Sequence, residues 1–231
     1  MNLDTRTDRW EKVSEDFKKL QTVLPIKLER VSAVPVEHRP QIGVAQTVHK
    51  IINIAKRDNL DYVLILEDDL YVISGEKVRD CLENVPDDWD IVSGGAYHYV
   101  PDSKVNENWV KMRDFCSMHF IILRSTIYEE ALKIDGHRQH IDRALGSLVR
   151  SGKATMYIMD PMPCQQRPGF SNIRKRNVND NRRQLPWMDT SETLENTIIG
   201  AKNPIGKPTT KINNDRLNIP RRRITDRVKN N

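Results

Sequence analysis

Tyr62-Val63-Leu64-Ile65-Leu66-Glu67-Asp68-Asp69 is the stretch that decides how this chain reads. An apolar run of strand length that breaks abruptly into charge is the pattern of a strand covered on both faces of an α/β sheet. In open α/β sheets, ligands bind beyond the carboxyl ends of the strands, which is where Glu67, Asp68 and Asp69 fall. Adjacent carboxylates are costly unless a cation offsets them or water solvates them. The triplet is therefore either an exposed acidic turn or a divalent-metal site, and its position after a buried strand argues for the metal. Glu67 and Asp69 are two apart, so an extended backbone turns them to the same side. We expect them to hold Mg²⁺ or Mn²⁺, hard cations that join one or two carboxylates to substrate phosphates.

Working outward, the same alternation of elements recurs. Upstream, Trp10, Val13, Phe17 and Leu20 have helical spacing, Ile26–Val31 alternates apolar and charged residues like a half-buried strand, and a helix is expected from about Val44 to Arg57 until Asp58-Asn59 breaks it. Downstream, Asp88–Ser93 repeats the form of a turn and a short apolar run before Gly94-Gly95, strands are expected at Phe120–Leu123 and Thr155–Met159, and helices near Thr126–Leu132 and His140–Val149. Strands alternating with helices predict an α/β fold, a Rossmann-like, mostly parallel sheet flanked by helices. After about Asn172 polar and basic residues dominate, interrupted by Pro186, Pro204, Pro208 and Pro220, and only Thr190–Ile199 reads as helix. The expected organisation is a domain over 1–172 and a basic, partly irregular arm over 173–231.

Charge divides the same way. The arm carries 14 Lys+Arg against 6 Asp+Glu, a net of +8, and leaves the remaining 172 residues at −3. Such an arm is either a solvated extension or a contact for a polyanion, nucleic acid or an anionic membrane surface. No apolar stretch approaches the roughly 20 residues of a membrane span, and no apolar h-region opens the sequence, so no secretory signal is expected. Cys81, Cys116 and Cys164 are scattered and lack metal-ligand spacing, which fits free thiols in the cytoplasm. The sequence has no P-loop and no serine-nucleophile elbow.

Several segments together carry a resemblance. Val63–Asp69 is similar to the metal-motif strand of glycosyltransferase family 25, the lipooligosaccharide and collagen galactosyltransferases. Asn2-Leu3-Asp4-Thr5-Arg6-Thr7-Asp8-Arg9 resembles that family's opening segment, Arg30-Val31-Ser32-Ala33-Val34 the strand after the first helix, and Trp89-Asp90-Ile91-Val92 the strand beyond the metal. Gln165 or Gln166 with Ser171-Asn172-Ile173 resembles its closing pattern. The sequence departs from the family where it begins at Met1 with few residues before the opening motif, where His49 stands one position late, and where Asn172 replaces an aspartate.

The resemblance implies a GT-A-type fold and metal-dependent transfer of a sugar from a nucleotide diphosphate-sugar. It implies donor contacts at Leu3, Asp4, Arg6, Arg9 and Asp68, and it places a conspicuous acid, here Asp142, in the helix after His140. A carboxylate suits the general base of an inverting transfer; Asp142 is the first candidate and Asp135 the second, against the ordinary role of helix aspartates as caps. Arg6 and Arg9 are suited to bidentate phosphate contact or are surface charges of the first helix. Gly94, with Gly95, either lets backbone approach the donor or makes a turn. His119 and His49 read as packed histidines, and Tyr97, His98 and Tyr99 as an acceptor shelf or a half-exposed strand. The acceptor is a glycan or, given the basic arm, a hydroxymethylated pyrimidine in DNA, which would need single-strand access or base extrusion. The competing class is a non-catalytic nucleic-acid-binding protein that uses the arm alone.

Overall fold

A computed structural model describes residues 1–171 and 176–178. In chain order the elements are α1 (Thr7–Gln21), α2 (Pro40–Arg57), β1 (Tyr62–Leu66), β2 (Leu70–Val72), α3 (Gly75–Leu82), β3 (Ile91–Ser93), β4 (His98–Asn106), β5 (Trp109–Cys116) and β6 (Phe120–Arg124). A 3₁₀ turn (Ser125–Ile127) leads into α4 (Tyr128–Leu132), followed by α5 (Ile141–Arg150), β7 (Met156–Met159), β8 (Cys164–Gln166), β9 (Gly169–Ser171) and β10 (Arg176–Val178). The arm expected over 173–231 and the helix expected over Thr190–Ile199 otherwise lie outside the described residues.

The six-stranded sheet has the order β1-β6-β3-β7-β5-β4. Its apolar runs alternate between two cores because successive strand side chains point to opposite faces. Ile65, Ile91, Ile121 and Ile158 face α2 and α5, meeting Val48, Ile52 and Leu145. Leu66, Val92, Ile122, Tyr157 and Met159 face α1 and α3, meeting Phe17, Leu20 and Val78. The sheet is covered on both faces; in β1 itself, which the run at Tyr62–Leu66 implied to be covered throughout, Ile65 and Leu66 are buried while Tyr62 is exposed.

The expectation of a mostly parallel sheet is corrected. Of its neighbouring pairs only β3–β7 is parallel; β1–β6, β6–β3, β7–β5 and β5–β4 are antiparallel, so the sheet is mixed. The physical reason is that a strand buried on both faces is apolar throughout whichever way its neighbours run, so hydrophobicity carries no direction. The pairings nonetheless leave β1, β3 and β7 pointing the same way, with β6 reversed between the first two. Their carboxyl ends therefore share one edge of the sheet.

Local chemistry explains several boundaries. Pro40 starts α2 at its first turn, four residues before the expected start, where its missing N–H costs nothing. Asn59, at φ 53°, ends it: Leu60 N–H donates to Ala55 O (2.9 Å) and Asn59 N–H to Lys56 O (3.2 Å), a Schellman closure. Ser74 caps α3 by accepting from Lys77 N–H at 3.1 Å. The strand expected at Ile26–Val31 forms no ladder; Ile26 and Leu28 are half-buried against the second core, and pairing is confined to a parallel bridge between Ser32 and Asn2. That bridge, with Met1 N donating to Leu66 O (2.6 Å), lays residues 1–3 beside the carboxyl end of β1. No described helix is long and apolar enough to cross a membrane.

Candidate functional site

Glu67, Asp68 and Asp69 form the turn from β1 into β2, fixed by Glu67 N–H donating to His119 O (3.3 Å) and Leu70 N–H to Glu67 O (3.2 Å). Their three carboxylates have different surroundings. Asp68 is held inside the protein on both oxygens, accepting from Arg9 Nη1 at 2.7 Å and Asn2 Nδ2 at 2.8 Å. Asn2 is itself fixed by Arg30, whose guanidinium donates to Asn2 Oδ1 (2.8 Å) and lies over the Trp10 ring. Asp69 accepts from Gln166 Nε2 at 2.9 Å on Oδ2, with Arg9 Nη1 3.5 Å from the same oxygen, while Arg167 N–H donates to its carbonyl. Asp69 Oδ1 is buried without a hydrogen-bond partner, and so is Gln166 Oε1.

The electrostatics follow from this crowding. Burial, then the neighbouring charges of Asp69, Asp142 and Asp68, push the Glu67 carboxyl well above the ordinary carboxylate range. Burial also lifts Asp69 to about 6, against the opposing hydrogen bond from Gln166 and the charge of Arg9. The described residues hold no ready-made group of three carboxylate, histidine or cysteine ligands. What they offer is two carboxylates under mutual repulsion and two orphaned buried oxygens. An all-oxygen set of this kind fits Mg²⁺ or Mn²⁺, with substrate phosphates and water completing the coordination.

A cleft of about 620 Å³ opens in front of the triplet. That size is within the range of small-ligand sites. Leu3, Arg6 and Arg9 line one side, and residues 33–36 with Gly43, Val44 and Thr47 of α2 line the other. Thr47 pins this second wall, accepting from Val34 N–H (2.9 Å) and donating to Gly43 O (2.6 Å). A Cβ at Gly43 would stand 2.2 Å from Val34 O, so α2 comes this close to the wall because residue 43 has no side chain. Arg6 lines the cleft while pairing with Asp8 through two bonds of 2.9 Å.

Asp142 lies in the first turn of α5, where its charge reaches Glu67. Its Oδ2 accepts from Cys116 Sγ at 2.8 Å and Tyr97 OH at 3.4 Å, and its Oδ1 from Arg143 N–H at 2.8 Å. Burial pushes the Cys116 thiol up to about 12 and raises the Tyr97 phenol as well, so both remain donors to the carboxylate. Leu3, Arg6, Arg9 and the triplet thus meet at one cleft; Asp142 is not among its lining residues and is linked to it through its charge on Glu67.

Other expected residues fall elsewhere. Asp4 is exposed and accepts from Ser32 Oγ at 2.9 Å, off the cleft. Gly94 is buried, with its N–H bonded to Phe120 O and its carbonyl to Cys164 N–H, and a Cβ there would stand 2.8 Å from the Phe120 ring. Its missing side chain is used in packing against Phe120 and Cys164, and it does not line the cleft; a glycine's reason is set by neighbours remote in sequence. Asp135 is exposed and caps its own turn through His137 N–H (2.8 Å). His119 is fully buried, its ring bonded to Ser117 Oγ at 2.6 Å and pushed down to about 4 by desolvation.

Asn2 and Cys116 are the groups whose roles sequence reasoning missed. Asn2 sits in a recognised segment, but nothing local says that it grips Asp68. Cys116 reads as an ordinary thiol until α5 is packed on β5. The chain matches no protein-family model, and no curated protein matches it significantly.

Proposed function

We propose that this chain is a metal-dependent glycosyltransferase that moves a sugar from a nucleotide diphosphate-sugar to an acceptor hydroxyl. The observation that carries this reading is the convergence of four segments distant in sequence, residues 1–9, 33–47, 67–69 and 166–171, on one cleft at the carboxyl end of β1. That is where ligands of α/β sheets bind, and there Asp69 Oδ1 is buried without a partner while burial and neighbouring acids raise the Glu67 carboxyl.

Bound to Glu67 and Asp69, a divalent cation would supply Lewis-acid stabilisation of the departing diphosphate. Arg9 neutralises Asp68 and Asp69, and the 33–36 wall with Leu3 gives an apolar surface for the nucleoside. In an inverting course Asp142 takes the acceptor proton as the acceptor oxygen bonds to the anomeric carbon. The bond from that carbon to the phosphate oxygen breaks, and the electron pair leaves with the diphosphate. Tyr97 and Cys116 orient the Asp142 carboxylate. The acceptor is a glycan or a hydroxymethylated pyrimidine in DNA, and salt separates them: acceptor binding to DNA falls steeply with ionic strength, whereas binding to a neutral glycan does not.

The test is thermal unfolding with Mn²⁺ and a panel of nucleotide diphosphates and their sugars, repeated with Asp69→Ala. A metal-dependent rise for one nucleotide, absent in the variant, is the expected result, because ligands that bind only the native state stabilise it. No rise with any nucleotide would sink the transferase reading and leave the competing one, a nucleic-acid-binding protein acting through 173–231.

A further inference from the structure

We propose that Gln166 is the positioning residue of the cation site. In this role its amide nitrogen holds Asp69 Oδ2, leaving Asp69 Oδ1 and its own Oε1 as a pair of oxygens for the metal. The inference rests on the metal reading above and names a residue outside the acidic triplet on which it depends.

Gln166 reaches the site through pairing, not proximity in sequence. β8 pairs antiparallel with β2, and its register sets Gln166 opposite Leu70, the residue that follows Asp69. The next residue locks that placement. Arg167 N–H donates to Asp69 O, and the Arg167 guanidinium pairs with buried Asp16 of α1 and lies 5.0 Å from the Tyr71 ring centroid. Asp69 is therefore gripped twice by one dipeptide, at its carbonyl by Arg167 and at its carboxylate by Gln166.

The assignment of the amide follows from the acceptor. A carboxylate oxygen accepts only, so the group 2.9 Å from Asp69 Oδ2 is the Gln166 NH₂, and its carbonyl oxygen is the atom left over. Both leftover oxygens are buried and unpartnered, a state that costs free energy in a finished fold. Gln166 lines the same cleft as Glu67 and Asp69. Without Gln166, the nearest cation to Asp69 Oδ2 is Arg9, at 3.5 Å. The carboxylate would then turn to Arg9 and lose the orientation that presents Oδ1.

The test is Mn²⁺ affinity of the full chain without nucleotide, read by the free Mn²⁺ electron paramagnetic resonance signal, alongside metal-free melting. Gln166→Leu is expected to weaken Mn²⁺ binding about 10- to 100-fold, the usual effect of losing a group that orients a ligand. Should Gln166→Leu fail to fold, Gln166→Asn keeps the amide but is one methylene short, and it is expected to show the same loss. Parent-like affinity in Gln166→Leu or Gln166→Asn, with only the melting temperature lowered, would make Gln166 a structural residue and overturn the inference while leaving the metal reading intact. A parent protein that binds no Mn²⁺ would overturn both.

Discussion

Two groups of acids stand at opposite ends of two strands of one sheet that run the same way, one before β3 and one after β1. At the amino end of β3, Asp90 accepts from Thr126 Oγ1 (2.6 Å) on one oxygen and Thr155 N–H (2.8 Å) on the other, tying β3 to its neighbours. Asp88 beside it accepts from Tyr157 OH at 2.7 Å, a bond that holds its carboxyl below the ordinary range. At the carboxyl end, Glu67 and Asp69 are pushed the other way, and Asp69 keeps an oxygen with no partner. One end uses carboxylates as staples; the other keeps them in a state that the fold alone does not reward. An acid that costs stability where it stands is a candidate for function.

Substitutions at the two ends should separate these roles. The largest effect is expected from Asp142→Asn, which removes the proposed base: the transfer rate should fall about 10²- to 10⁴-fold with nucleotide-induced stabilisation retained, as read by steady-state kinetics and thermal shift. A parent-like rate would remove Asp142 from the mechanism. Asp90→Ala at the other end should cost about 1–3 kcal/mol in urea unfolding, because it leaves the Thr155 N–H unpaired. Mn²⁺ affinity should stay parent-like in that variant, and a large loss would erase the contrast between the ends.

The smallest effect concerns pH. Asp69 is raised from 3.8 to about 6, so the native state holds its proton more tightly than the unfolded chain, and this group makes the metal-free fold less stable as pH rises between those values. His119, lowered from 6.5 to about 4, acts in the opposite sense, adding stability as pH rises over nearly the same window. The two partly cancel in the parent. Asp69→Asn removes one of them, so metal-free melting of the variant should climb more steeply from pH 4 to 6.5 than that of the parent. Parallel curves would mean that Asp69 titrates normally.

How much of this was legible in the sequence depended on whether the cause was local. The strand at Tyr62–Leu66, its sharp acidic ending, the spacing of α1 and the break at Asp58-Asn59 are local patterns, and the structure has them where the residues put them. Strand direction is not local, so the antiparallel insertion of β6 between β1 and β3 was hidden. The β4–β5 hairpin and α3 went unread because charged residues interrupt their apolar faces and their boundaries depend on single residues such as Asn106 and Ser74. In the candidate site, Glu67, Asp69 and Arg9 carried signals of their own. The distinct duties of Asp68 and Asp69, and the part played by Gln166, come from partners some 60 to 100 positions away.

The pairing of β2 with β8 also has a consequence for the order in which the molecule is assembled. It joins residues 70–72 to residues 164–166, so nearly the whole described chain must be in place before that two-stranded clasp can close. Closing so long a loop is entropically uphill until the contacts at its ends form. A nascent chain would carry the acidic turn well before it carried Gln166 and Arg167, and would hold a cation poorly until its last strands docked. Opening the clasp would leave the pairings of the six-stranded sheet intact, because it shares no strand with it, and would expose Leu70, Val72 and Cys164 of the second core. Release of a bound ion would then track a local opening, which is easier than unfolding the whole domain.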